Sequence, residues 1–176
     1  MKLFITSNQQ FGRHGAIEQY ARKFKSVEEM DEYMVNQWNS VVSKEDMVYV
    51  AGNFAWDPES AEDVITRLNG TIVVMKGKWD KASKYLVDKL KGTVGLSYLD
   101  EDIRHLIDLN VVISYWPLQD WPAKESGATS VIGIPKHQFG SDHKIKRVNV
   151  AVDYWDFKPV DIKQIMQLYS DPDLKS

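Results

Sequence analysis

Three apolar runs each lead into residues that could do chemistry. "KLFITS" (2–7) runs into Asn8 and Gln10, "DMVYVAG" (46–52) into Asn53, and "TIVVMKG" (71–77) into Lys78, Trp79 and Asp80. Further along, "VVIS" precedes Tyr115 and Trp116, and "SVIGIP" precedes Lys136 and His137. Asn8, Gln10 and Asn53 supply neutral amides, Lys78 and Lys136 supply ammonium groups, and Asp80 is the single carboxylate. Such a set can form hydrogen bonds or hold an anion. It brings too little negative charge for divalent cations, which call for carboxylates and imidazoles.

These residues need a scaffold whose strand ends converge. "KLFITS" reads as a buried strand by its apolar and β-branched content. Ile17, Tyr20, Ala21 and Phe24 fall on one face of a helix over 15–24. Ser26 and Glu29 form a capping box that starts a second helix, whose apolar stripe is Met30, Tyr33, Met34, Trp38, Val41 and Val42. After the second strand, "SAEDVITRLNG" (60–70) predicts a helix capped by Ser60 and ended by Asn69-Gly70, with Pro58 in the loop before it. Residues 80–91 read as helical, with Tyr85, Leu86, Val87 and Leu90 inward.

"IRHLIDL" and "VVISYW" flank Asn110 as two antiparallel strands, and "SVIGIP" and "RVNVAVD" supply two more. Pro159 opens a closing helix, "PVDIKQIMQLY" (159–169), and residues 171–176 read as a frayed tail. The first half is thus β-α-β-α-β, which implies parallel strands with right-handed crossovers. The strand-rich second half predicts a second, largely antiparallel sheet. Together they predict one mixed α/β (α+β) domain over 1–170, a four-layer α-β-β-α sandwich. Ligands of such sheets sit beyond the carboxyl ends of strands.

Composition narrows the function further. The chain has 176 residues, a formal charge of −3 and no cysteine, so disulfides, thiolate catalysis and cysteine-based zinc sites are excluded. The charge argues against general nucleic-acid binding, although "KHQFGSDHKIKR" (136–147) is locally basic. No run approaches a membrane-spanning length and "MKLFITSN" is no signal peptide, so no membrane role and a cytoplasmic location are expected.

In the order "TSNQQFG", "VAGNFAWD", "MKGKWD", "VISYWPL" and "VIGIPKH", the chain resembles the calcineurin-like metallophosphoesterases in their short phage and bacterial form. "SVEEMDEYMVNQWNSVV", "RLNGTIVVMKG", "SYWPLQDW" and "VNVAVDYWDFKPVDI" also look like such members, so the resemblance covers residues 3–166. It implies the family's sandwich. It also implies that Asn8 stands at the first aspartate, Gln10 at its paired histidine and Asn53 at the metal-bridging aspartate. Lys78 then replaces an asparagine ligand and Trp79 the histidine that serves the leaving group, while Asp80 remains. Tyr115 replaces a lone histidine, and Ile134 and Lys136 fall on the last two when counted from Gly133, with His137 one residue away.

The family hydrolyses phosphoesters with two cations about 4 Å apart. A lysine about 4 Å from a divalent ion is repelled by about 2 kcal/mol in water and about 8 at a surface-like dielectric. The expected protein is therefore a catalytically inactive relative, with no cofactor or metal, that binds a macromolecular partner in the bacterial or phage-host cytoplasm. Trp56, Trp79 and Trp116 are the partner-binding candidates, joined by Tyr115 and Phe54 as exposed aromatics. Trp121 and Trp155 lie in text shared with ordinary members and are expected to be structural.

A second reading is a nucleotide or phosphate sink, in which Lys78 and Lys136 hold the anion, the three amides donate to it, and Trp79 or Tyr115 stacks a base. A third is a weak metal-dependent phosphodiesterase or phosphatase with a site rebuilt from Asp57, Asp80, Asp142, His14, His137 and His143.

Overall fold

Alternation along the strands decides the layers. The computed structural model describes residues 1–92, 95–135 and 138–169. Its first sheet has the order β4-β3-β2-β1-β9, built from β1 (Leu3–Thr6), β2 (Met47–Val50), β3 (Thr71–Met75), β4 (Leu96–Leu99) and β9 (Val160–Asp161). β1 to β4 are parallel neighbours, and β9 runs antiparallel to β1. Phe4, Val48, Val50, Ile72 and Val74 face helices α2 (Val27–Asn39), α3 (Pro58–Thr66) and α4 (Lys81–Lys89). Ile5, Ala51 and Met75 face the other way, onto Val111, Ile113, Val131 and Val148 of the second sheet. The mixed α/β fold is thus a helical layer, a mixed sheet and a second mixed sheet.

The second sheet has the order β5-β6-β7-β8, from β5 (Ile103–Leu106), β6 (Val111–Ser114), β7 (Thr129–Ile132) and β8 (Arg147–Asn149). Only β5 and β6 are antiparallel; β6-β7 and β7-β8 are parallel, against the antiparallel sheet expected. The connections explain this. A short turn with Asn110 in the left-handed region joins β5 to β6, whereas long excursions separate the later strands and let each return in the same direction. On the outer face, Val112 packs with Trp121 and Ala128 of the 115–128 connection.

Several element ends differ from the sequence reading, each for a local reason. α1 covers only Gly15–Gln19, because Ala21 turns left-handed at φ 52°. Ser26 caps α2 as expected and accepts from Glu29 N at 3.2 Å. Asp57, not Ser60, caps α3, accepting from Ser60 N at 2.9 Å, and Pro58 opens the helix instead of preceding it. Tyr85 is 55% exposed, while Leu86, Val87 and Leu90 are inward. β4 is a strand that the sequence reading does not contain, because its four residues show no strong apolar pattern. Pro159 precedes strand β9, and the last helix, α5 (Ile162–Gln167), is capped by Asp161. The tail at 171–176 lies outside the described residues. Among the described residues, no helix is long and apolar enough to cross a membrane.

Candidate functional site

The site is where four loops are drawn together by glycine. A Cβ on Gly52 would lie 2.5 Å from Gly77 Cα, and one on Gly133 would lie 2.9 Å from Ser7 Cβ. No larger residue fits between these backbones, so the ends of β1, β2, β3 and β7 meet at one point. The loops after β1 and β2 also pair with each other. Asn8 N donates to Gly52 O at 3.1 Å, Gln10 N to Asn53 O at 3.0 Å and Phe11 N to Phe54 O at 3.0 Å. Asn8, Gln10 and Asn53 all adopt the left-handed conformation, at φ 61°, 55° and 54°. That region is costly for most residues and, glycine apart, easiest for asparagine.

The expected residues do converge, and their side chains bond mainly to one another. Asn53 Nδ2 donates to Asn8 Oδ1 at 2.9 Å and to Tyr115 Oη at 2.8 Å. Asn53 Oδ1 accepts from Trp79 N at 3.0 Å. Asn8 Nδ2 donates to Gly133 O, and Gln10 Nε2 donates to Tyr20 Oη at 2.6 Å. Gln10 Oε1 in turn accepts from Arg13 Nη1. Asn8, Gln10, Asn53 and Tyr115 are all at most 2% exposed. Burial pushes the Tyr115 phenol up to about 12, so it stays a neutral hydroxyl. The result is a closed knot of amides and phenols.

Asp80 is a brace between loops. Its Oδ2 accepts from Asn53 N at 2.6 Å, and its Oδ1 accepts from Phe54 N at 2.9 Å and Ser83 Oγ at 2.7 Å. Ser83 Oγ also accepts from Ala55 N at 3.0 Å. Burial raises the Asp80 carboxyl above its ordinary range, opposed by these bonds, the Ser83 bond foremost. Both oxygens are thus committed to the chain itself.

This donor set does not fit a pair of divalent cations. Amides, a phenol and a carbonyl occupy the centre, and the one carboxylate is turned to backbone N–H groups. Among the described residues, no three acids or histidines come together as a metal-binding group. Asp57 caps α3, Asp142 accepts from Lys144 N at 3.1 Å, and His14 and His143 are exposed on separate elements. Ile134, 5% exposed, is packed as an apolar residue. Lys136 and His137 lie outside the described residues.

Lys78 is exposed on the rim, with Nζ 5.0 Å from the centroid of the Trp79 ring. It is not inside the knot, so its charge bears on the surface and not on the buried amides. Trp79 packs on Trp56, and Trp116 lies edge-on to Tyr115, with centroids 5.9 and 4.8 Å apart. The three candidate tryptophans are 42–47% exposed, whereas Phe54 and Tyr115, expected to be exposed, are 1% and 2% exposed. Phe54 is turned into the helical core against Trp38 and Phe11. Trp121 is 5% exposed, and Trp155 is partly buried against the core between the sheets.

Four supporting residues escaped the sequence reading. Ser83 stands three residues after Asp80, a capping-type spacing that could have revealed it. Tyr20 and Arg13 hold Gln10. Arg22, 6% exposed, donates to Asn8 O at 2.7 Å and Gln9 O at 3.1 Å and pairs with Asp153 at 2.8 Å, a residue 131 positions away that no spacing could signal.

No family model matches the chain. It is 26% identical over 171 residues to the uncharacterized protein MJ1445 of Methanocaldococcus jannaschii, spanning 95% of this chain and 90% of that protein. Among solved structures it is similar to AQ665 of Aquifex aeolicus, a protein of unknown function, with a TM-score of 0.70 and 18% identity. That likeness spans 95% of this chain and 98% of the other, and it bears on the fold alone.

Proposed function

We propose that this protein is a catalytically inactive, metallophosphoesterase-like protein that works by binding a macromolecular partner. In that reading its two mixed sheets and helices form the family's four-layer sandwich, with the 115–128 connection as a reduced outer layer. The observation that carries the proposal is the closed amide knot. Asn8 and Asn53 stand where the resemblance expects carboxylate ligands, and Asn53 Nδ2 bonds to Asn8 Oδ1 at 2.9 Å. Two carboxylates at that distance would repel each other without a cation between them. Two amides attract and need none.

The nucleotide-sink reading gains less support. It requires the amides to donate outward, but their N–H groups already serve Gly133, Tyr20 and Tyr115. A rebuilt phosphodiesterase site gains less still, because Asp57 and Asp80 are committed to capping and bracing. What the surface does present is aromatic: Trp56, Trp79 and Trp116 around the knot, in the manner of a protein-binding hot spot. A cytoplasmic site of action follows from the same reading.

Calorimetric titration of the metal-stripped protein with Mn²⁺, beside an assay of bis(p-nitrophenyl) phosphate hydrolysis, tests it. No saturable heat at micromolar metal and no turnover are expected. Binding of two ions with metal-dependent hydrolysis would overturn it.

A further inference from the structure

The six tryptophans separate by what their indole N–H groups do. Trp38 donates to Asn69 O at 2.9 Å, Trp121 to Ala128 O at 3.0 Å and Trp155 to Asn149 O at 2.8 Å. Trp56, Trp79 and Trp116 have no acceptor among the described residues and are the exposed ones. A buried tryptophan normally satisfies its N–H within the protein; an exposed one gives it to water and can exchange that water for a partner's acceptor.

Trp56 and Trp79 form the densest part of this surface, with ring planes tilted at 60°. Each carries a cation on its face. Arg13 Cζ lies 4.1 Å from the Trp56 centroid and Lys78 Nζ 5.0 Å from that of Trp79. Neither cation forms an ion pair with a described carboxylate. Among the described residues, the Arg13 side chain bonds only to the neutral Gln10, Gln19 and Tyr20. Beside Trp56 is a depression of about 480 Å³ lined by Arg13, His14, Asp57 and Ser60, in which the Asp57 carboxylate accepts from Ser60 N at 2.9 Å. The rim thus joins two exposed indoles to two cations that no described carboxylate neutralises, with the helix-capping Asp57 as the acid beside them.

Resting on the binding role above, we propose that this rim docks an acidic segment of a protein partner. An apolar side chain of that segment sits against the two indoles, and flanking carboxylates meet Lys78, Arg13 and the indole N–H groups. Such a segment matches both the apolar and the electrostatic character of the rim. A nucleic acid matches it less well. Arg13 covers one face of Trp56 and the rings are tilted, so no parallel platform is open to a base. A chain with a net charge of −3 also offers no extended basic track for a phosphate backbone.

The test uses the full chain with its tryptophan indoles ¹⁵N-labelled. The probes are an acetylated Asp-Glu-Leu-Asp-Glu peptide, its lysine counterpart Lys-Lys-Leu-Lys-Lys, and an oligothymidylate. The acidic peptide is expected to shift the Trp56 and Trp79 indole resonances and leave those of Trp38 and Trp155 in place. Its affinity should fall about tenfold in Lys78→Glu, and should fall again between about 50 and about 300 mM salt. Trp79→Ala, a change at an exposed ring, should abolish the shift of Trp56.

Unmoved indoles, equal binding of the lysine peptide, or tighter binding of the oligothymidylate would each overturn the docking proposal. So would full affinity in Lys78→Glu. The Mn²⁺ and hydrolysis assays on the same sample separate the two claims. A silent metal titration with unmoved indoles overturns the acidic docking site alone, whereas metal-dependent turnover overturns the inactive binding role.

Discussion

Changing Asn53 to aspartate is the sharpest probe of the knot, because it alters one atom's chemistry and almost none of its shape. Asn53 is 1% exposed and its Nδ2 donates twice, at 2.9 Å to Asn8 Oδ1 and at 2.8 Å to Tyr115 Oη. In Asn53→Asp both donated bonds disappear, each worth about 1 kcal/mol. The new oxygen faces the Asn8 carbonyl acceptor across the old bond, and leaving a buried acceptor unsatisfied adds about 1–3 kcal/mol, the least that a charged oxygen can cost there. Only the Tyr115 hydroxyl can reverse and donate. The expected loss is about 3–5 kcal/mol at pH 7, read from urea unfolding. A melting temperature lower by roughly 6–12 °C should accompany even the smaller figure.

The pH dependence carries a sign. Burial raises the introduced carboxyl's pKa, so it gains a proton as the pH falls and can again donate a bond. The deficit relative to the natural sequence should therefore shrink from pH 7 towards pH 5. A loss below about 1 kcal/mol at pH 7, or one that does not change with pH, would refute the hydrogen-bond reasoning. Recovery of the lost stability by millimolar Mn²⁺ would refute the proposed metal-free site.

Two further outcomes follow from other buried groups. Asp31, 4% exposed, accepts from Gly12 N at 2.8 Å, and burial raises its carboxyl from 3.8 to about 6. The folded state then holds a proton that the unfolded chain has released. Stability contributed by this group is present below pH 3.8 and declines as the pH rises through about 6, by about 3 kcal/mol. Denaturant titrations from pH 4 to pH 7 should show that slope, and Asp31→Asn should remove the Asp31 share of it, leaving that of Asp80, whose carboxyl burial also raises. Gly133→Ala drives a methyl group to 2.9 Å from both Ala51 Cβ and Ser7 Cβ, so unfolding should be easier by about 3 kcal/mol; an unchanged denaturation midpoint would show that the loops can separate.

Much of the scaffold was legible in the sequence because its signals are local. The apolar, β-branched runs "KLFITS" and "TIVVMKG", the Ser26–Glu29 box and the stripe through Met30, Met34 and Trp38 each specify an element within a few residues. β1, β2, β3, α2, α4 and the β5-β6 hairpin appear where that pattern places them. The strand-end positions were legible too: Asn8, Gln10, Asn53, Asp80 and Tyr115 meet in space.

The sequence alone could not decide which of these side chains face inward. Tyr115 and Phe54 read as exposed loop aromatics, yet the close approach of Gly52, Gly77 and Gly133 draws them under the surface. Lys78 read as part of the site, yet its neighbour Trp79 lends its backbone N–H to Asn53 and the ammonium stays on the rim. Strand direction in the second sheet and the pairing of Arg22 with Asp153 were likewise invisible, since both depend on contacts between distant parts of the chain. Residue types set what each position could offer. Only the tertiary structure, by bringing the loops together, decided that the amides would bond to one another and leave the tryptophans facing outward.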